Sequence, residues 1–171
     1  SEGIPQFPYD PDKAIAMLKN AGYVIPASGT TRAKDDQSFS FELLYPDTEP
    51  MQQVAEIIQN GWVNLQLDVK IKPMPYEEMI SGALATRQYQ AAIIEINQMR
   101  TPDPDPYPFW HQTQATGGQN YGQWQDRQAS EYLELARITS NIVERGRLYR
   151  NFQVRFATEL PALPLYLPIY N

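Results

Sequence analysis

The residues with the most chemical potential sit close together, in the run TPDPDPYPFWHQ at positions 101–112. It holds two carboxylates, Asp103 and Asp105, the single histidine, His111, and the rings of Tyr107, Phe109 and Trp110, with Arg100 just ahead. Two carboxylates two residues apart in a Pro-rich loop can face opposite ways, so spacing alone does not make them a glycosidase pair. His111 lacks any Cys or second His as partner and lacks a carboxylate at metal-ligand spacing. Neither metal ligation nor general-base work is expected of it. No nucleophile elbow, phosphate-binding loop, zinc motif or dinucleotide fingerprint occurs. The expectation is a protein that is not an enzyme and carries no metal or other cofactor. Binding suits these residues better. Tyr107 and Trp110 are rigid aromatics with a polar edge, the type that walls a pocket. For Trp110 the competing role is packing the loop onto the body. Asn120 and Tyr121 follow Gly117 and Gly118, which permit a tight turn from which Asn120 presents its amide.

The elements that must position this run are legible in the periodicity. Asp10, Pro11 and Asp12 are start signals for a helix over about 11–21, with Ala14, Ile15, Met17 and Leu18 as its apolar face and Gly22 as its stop. Residues 26–38 are polar and turn-rich, a loop with hairpin character. Phe39, Phe41 and Leu43 alternate with polar neighbours and predict a strand at about 38–45. Met51, Val54, Ala55, Ile58 and Trp62 fall on one helical face over 49–63, with Trp62 as core. Leu67, Val69 and Ile71 alternate as a second strand. Pro75 opens a helix with Met79, Ile80, Ala83 and Leu84 on one face, and Ala91–Ile96 is a short buried strand. Alternating helices and strands imply an α/β layer with mostly parallel pairing. Residues 97–127 then form a long irregular stretch leaving that last strand, where ligands tend to bind in open α/β sheets. Such stretches are functional or disordered, and Tyr107, Phe109, Trp110, Tyr121 and Trp124 argue against disorder. Helices over about 128–139 and 141–158 follow, with Trp124 assigned to core or hinge packing. The chain ends in ELPALPLYLPIYN, a Pro-interrupted apolar strand. Its prolines suit a sheet edge or a segment crossing to another domain.

Composition narrows the class. At 171 residues, 42% hydrophobic and 20% charged, the chain is globular and long enough to bury a core without staples. The formal charge of −6, with no basic stripe, argues against nucleic acid. No apolar run reaches the ~20 residues that span a bilayer. Cysteine is absent, which removes disulfide and thiolate chemistry. The first residue is Ser1, not Met, and no signal-peptide pattern is read in these 171 residues. The expectation is a chain trimmed or excised from a longer protein.

Several blocks, taken in order, resemble the dipeptide- and oligopeptide-binding proteins that feed ABC importers. The PDP-containing loop after a strand is one. YDPDKAIAMLKNAGY at 9–23 is similar to a family helix of the form YDP-x-KA-x-x-L-x-x-AGY. Residues 54–74 resemble its amphipathic helix and strand, and PYEEMISGALATRQYQAAII at 75–94 its next helix and strand. GQNYGQW at 118–124 is similar to its Asn-aromatic-Gly turn. RGRLYRNFQ and LPALPLY, at 145–153 and 160–166, resemble its closing helix and strand. The likeness covers nearly the whole chain, and its strength lies in shared order and spacing.

The resemblance implies a periplasmic-binding-protein-like lobe of type II, an α/β fold with a mostly parallel sheet flanked by helices. Residues 1–171 would then be a single C-terminal lobe fragment of a two-lobed protein about three times as long. Its expected partners are a peptide or other small solute, an ABC permease in the membrane, and the first lobe of the same parent. The place of work is extracytoplasmic, in a periplasm or on a cell-surface lipoprotein. In the family an Asp just before the PDP run often pairs with the ligand's ammonium, a charge-assisted hydrogen bond. Aligned on Pro102, this chain has Arg100 there, which suits an anionic group instead. Aligned on Pro104, Asp103 comes close to the ammonium position. Both alignments stay open. Asn97, Gln98 and Met99 lie where the family lines its cleft and are assigned to ligand or ligand-bound water. An oligosaccharide ligand, or a stand-alone interaction module with residues 97–127 as its docking surface, are the alternatives.

Overall fold

Asp10 starts the first helix as its sequence implies. Its carboxylate accepts the Lys13 N–H at 2.9 Å, and α1 (Pro11–Asn20) follows with Pro at its first position. Gly22 ends it with φ +93°, a left-handed conformation that favours glycine. The computed structural model describes residues 3–96 and 105–167. The chain divides into two compact units, Pro8–Ile96 and Ser1–Phe7 with Asn97–Asn171.

In the first of these units the polar stretch forms a hairpin. β1 (Ala33–Lys34) pairs antiparallel with β2 (Gln37–Ser38). Asp35 and Asp36 between them both have positive φ, 51° and 62°, the requirement of a type I′ turn. β3 (Ser40–Pro46), α2 (Glu49–Val63) and β4 (Asp68–Met74) follow in the expected order. β3 is central in a three-stranded parallel sheet, between β4, with Ser40 opposite Asp68 and Pro46 opposite Met74, and a short strand β5 (Ala91–Ala92). Its Leu43, Leu44 and Tyr45 are all buried, because a parallel strand is covered on both faces. One face meets α2 through Met51 and Ala55, joined by Leu67, Val69 and Ile93. Trp62 lies edge-on to Phe41, ring centroids 5.1 Å apart, as core.

Two departures in this unit have local causes. The expected strand over 91–96 pairs only through β5 (Ala91–Ala92). Ile93 adds one more bond, its N–H donating to Leu44 O at 2.8 Å, and is buried in the core. The helix after Pro75 begins as α3 (Tyr76–Glu78) and widens into a π-helical stretch, Met79–Leu84. The apolar face expected at helical spacing shifts with it. Met79 and Leu84, five residues apart, are the two fully buried side chains, in keeping with the i→i+5 bonding of a π turn.

The other unit is helical in its described residues. The stretch expected to be irregular contains two short helices, α4 (Tyr107–Trp110) and α5 (Gln114–Gly117). α6 (Arg127–Ile138) is capped by Asp126, which accepts the Ala129 N–H at 2.8 Å. α7 (Ile142–Glu159) is capped by Asn141, which accepts from Val143 and Glu144. Their packing buries Ala129, Leu133 and Phe152. The apolar segment after α7 is not a strand over its described residues 160–167. Pro161 and Pro164 each remove a ladder donor, and Leu163, Leu165, Tyr166 and Leu167 remain exposed.

Candidate functional site

The site residues chosen from the sequence separate into two groups. Asn97, Gln98, Met99, Arg100 and Asp103 lie outside the described residues. Tyr107, Trp110, Asn120 and Tyr121 all fall in the helical unit, together with Asp105 and His111.

Asp105 sets the start of α4. One carboxylate oxygen accepts the Tyr107 N–H at 3.1 Å, and the other meets Arg137 Nε at 3.1 Å. Arg137 reaches across from α6, and its guanidinium carbon lies 4.2 Å from the centre of the Tyr107 ring. This is a cation–π contact. The opposite face of Tyr107 stacks on His111, centroids 4.0 Å apart and planes inclined by 13°. The result is a layered group of guanidinium, phenol and imidazole. α6 holds both ends of it, because Glu134, three residues before Arg137, meets His111 Nε2 at 2.8 Å. His111 is 1% exposed, and Nδ1 is engaged by Thr113, with Oγ1 at 2.7 Å and the backbone N–H at 3.2 Å.

Asn120 has a different role from the cleft-facing amide expected of it. It is 0% exposed. Its Nδ2 donates to His111 O at 3.2 Å and Trp124 O at 2.8 Å, while Oδ1 accepts the Trp124 N–H at 3.1 Å. Both amide hydrogens are committed inside the turn, so the side chain staples the turn after α5 to the end of α4. Trp110 takes the packing role. It meets Phe156 edge-on at 4.7 Å, and Trp124 meets the same ring at 5.8 Å. Tyr121 is half-buried, its N–H bonded to Gln119 O at 2.8 Å. The Tyr107 ring belongs to a polar, charged cluster.

Three contributors were not singled out from sequence: Glu134, Arg137 and Thr113. Glu134 and Arg137 share a helix face at i, i+3, a signal that could have found them together. Among the described residues no group of three or more metal-type side chains is assembled. A shallow groove in the sheet-bearing unit is lined by Glu42, Leu44, Lys72, Met74, Ala83 and Gln90 among others. None of the described candidates borders it.

The parallel sheet flanked by helices, with the helical unit that carries the Tyr107 cluster, defines a class. The architecture is that of part of a type II periplasmic binding protein. It superposes on the oligopeptide-binding protein AppA of Bacillus subtilis in complex with a nonapeptide. The TM-score is 0.84 at 21% identity, over 92% of this chain and 31% of that one. NikZ of Campylobacter jejuni, in complex with Ni(L-His), gives 0.81 at 24% identity, over 94% and 32%. The chain belongs to the bacterial extracellular solute-binding proteins, family 5, whose middle-region model matches residues 1–119. Members of this family bind substrates and do not transform them. Di/tripeptide-binding protein 2 of Pseudomonas aeruginosa is 25% identical over 177 residues, covering 98% of this chain. The nickel-binding periplasmic protein of Escherichia coli is 27% identical over 172 residues, covering 95% of this chain. The chain spans about 30% of the length of these curated relatives.

Proposed function

We propose that the chain is part of the substrate-binding component of an ABC importer, and that the parent protein captures dipeptides or oligopeptides outside the cytoplasmic membrane. The observation that carries this is the family match over residues 1–119, joined to relatives named for di/tripeptide, dipeptide and oligopeptide binding. On this proposal the chain supplies much of one lobe, and the parent's first lobe closes over the ligand by hinge motion. The permease in the membrane receives the solute. Asn97, Gln98, Met99, Arg100, Asp103, Tyr107 and Tyr121 remain the proposed ligand contacts. Asn120 and Trp110 act as staple and packing within the helical unit.

A peptide would bond its backbone along strand edges, with water filling side-chain pockets so that many sequences are accepted. Native mass spectrometry of the gently purified parent protein tests this. Co-purified short peptides are the expected result. A sugar, an anionic solute or a metal–amino-acid chelate would reject the peptide assignment within the same importer class. The chelate is a distinct second outcome, because relatives at 27% identity include one named for nickel.

A further inference from the structure

We infer that His111 is a proton-sensitive positioning residue, which holds Tyr107 in place only while its Nδ1 is unprotonated. The geometry fixes the tautomer. The Thr113 backbone N–H points at Nδ1 from 3.2 Å, and a backbone amide can only donate. Nδ1 is therefore the acceptor, and the proton sits on Nε2, donated to Glu134 Oε1 at 2.8 Å. The Thr113 hydroxyl lies 2.7 Å from the same atom, and with this tautomer it acts as a second donor to it.

The surroundings decide what a second proton does. Glu134 and Arg137 face the group from α6, Asp105 from the residue two before α4, and Tyr107 from α4 itself. On the α5 side stand Thr113 and the uncharged Gln114. A proton on Nδ1 leaves the Glu134 bond intact. The Thr113 hydroxyl can rotate and accept. The Thr113 N–H cannot, and it then confronts another N–H inside a buried site, at the cost of an unsatisfied donor. A second cation also appears on the face of Tyr107 opposite Arg137. Protonation therefore opens the 111–114 turn and removes the imidazole face that supports the Tyr107 ring. The consequence for ligand capture rests on the proposed solute-binding role of Tyr107. The turn opening does not.

His111 is the only histidine, so uniform 15N labelling of the full chain gives one imidazole to follow. At neutral pH Nδ1 should resonate as an unprotonated acceptor and Nε2 as the protonated nitrogen. As acid titrates the ring, protection of the Thr113 amide against hydrogen exchange should fall at least tenfold, with the Leu133 and Phe152 amides unchanged. In His111→Gln the pH dependence at Thr113 should vanish. An Nδ1–H tautomer at neutral pH would overturn the inference. So would Thr113 protection that stays constant through the titration. If His111→Gln does not fold, the wild-type titration alone decides. These signals need no ligand, so they stand or fall separately from the peptide proposal.

Discussion

Arg155 Nε lies 2.6 Å from Asp126 Oδ2, while the other oxygen of the same carboxylate caps α6 through the Ala129 N–H. One side chain thus starts one helix and ties it to the next. The hydrogen bond from the Arg155 guanidinium is the leading cause that raises the Arg155 pKa above its ordinary value. Asp126→Asn keeps a capping oxygen but loses the anion. Asp126→Ala loses both, and the cap alone is worth about 1 kcal/mol. Urea unfolding should rank wild type above Asp126→Asn above Asp126→Ala. In a double-mutant cycle, Asp126→Asn and Arg155→Gln should be less than additive. Simple additivity would mean that the 2.6 Å contact does not couple the helices.

Asn120 should behave as a structural residue. Its removal leaves His111 O, Trp124 O and the Trp124 N–H without their buried partner, and unsatisfied buried groups are expensive. Asn120→Ala is expected to cost about 3 kcal/mol, read by tryptophan fluorescence during denaturation. Asn120→Asp should also destabilise, because the two donated bonds go with the amide nitrogen. If Asn120→Ala left stability unchanged while weakening ligand binding in the parent protein, the amide would be a ligand contact after all.

The contrast between β3 and the Tyr107 cluster shows what a sequence makes legible. β3, α2 and β4 advertise themselves through period-2 and helical spacing, because each must bury a repeating apolar face. The start of α1 is legible because capping is local. Glu134, Arg137 and His111 meet only when α6 crosses α4, and nothing in their spacing says which helix faces which. A turn with two glycines suits exposure, and from it the sequence predicts a ligand-facing amide at Asn120. Its destination was set instead by two carbonyls that needed donors. The π turn at Met79–Leu84 left no local signal, since the residues also satisfy an ordinary helix until their burial is known.

Arg32 is the buried cation of the sheet-bearing unit, only 2% exposed. Its guanidinium donates to Leu65 O at 2.8 Å, Tyr23 O at 3.3 Å and Gln66 Oε1 at 3.0 Å. It therefore joins the end of α1, the hairpin and the turn after α2. Lysine cannot reproduce this fork. Arg32→Lys and Arg32→Met should each destabilise by about 2–3 kcal/mol, and the loss should show as increased amide exchange over 23–39 and 64–68. Unchanged exchange there would show that the three bonds add nothing the backbone does not already supply.

Tyr45 gives the sheet-bearing unit an alkaline limit. Its phenol is buried in the core, and burial raises its pKa above the ordinary value, with the nearby charges of Asp47 and Glu56 pushing the same way. In the unfolded chain the phenol ionises at about pH 10. Above that pH the folded state holds a proton that the unfolded state has released, so stability falls as pH rises. The contribution is complete below the unfolded pKa and is lost progressively as pH climbs towards the folded value. Tyr45→Phe removes the group that titrates while keeping the ring. Urea midpoints of the two proteins should run parallel below about pH 10 and diverge above it, with wild type falling faster. A spectrophotometric titration should show one late phenolate in wild type that Tyr45→Phe lacks. Midpoint curves that remain parallel through this range would mean that Tyr45 ionises as readily in the fold as outside it.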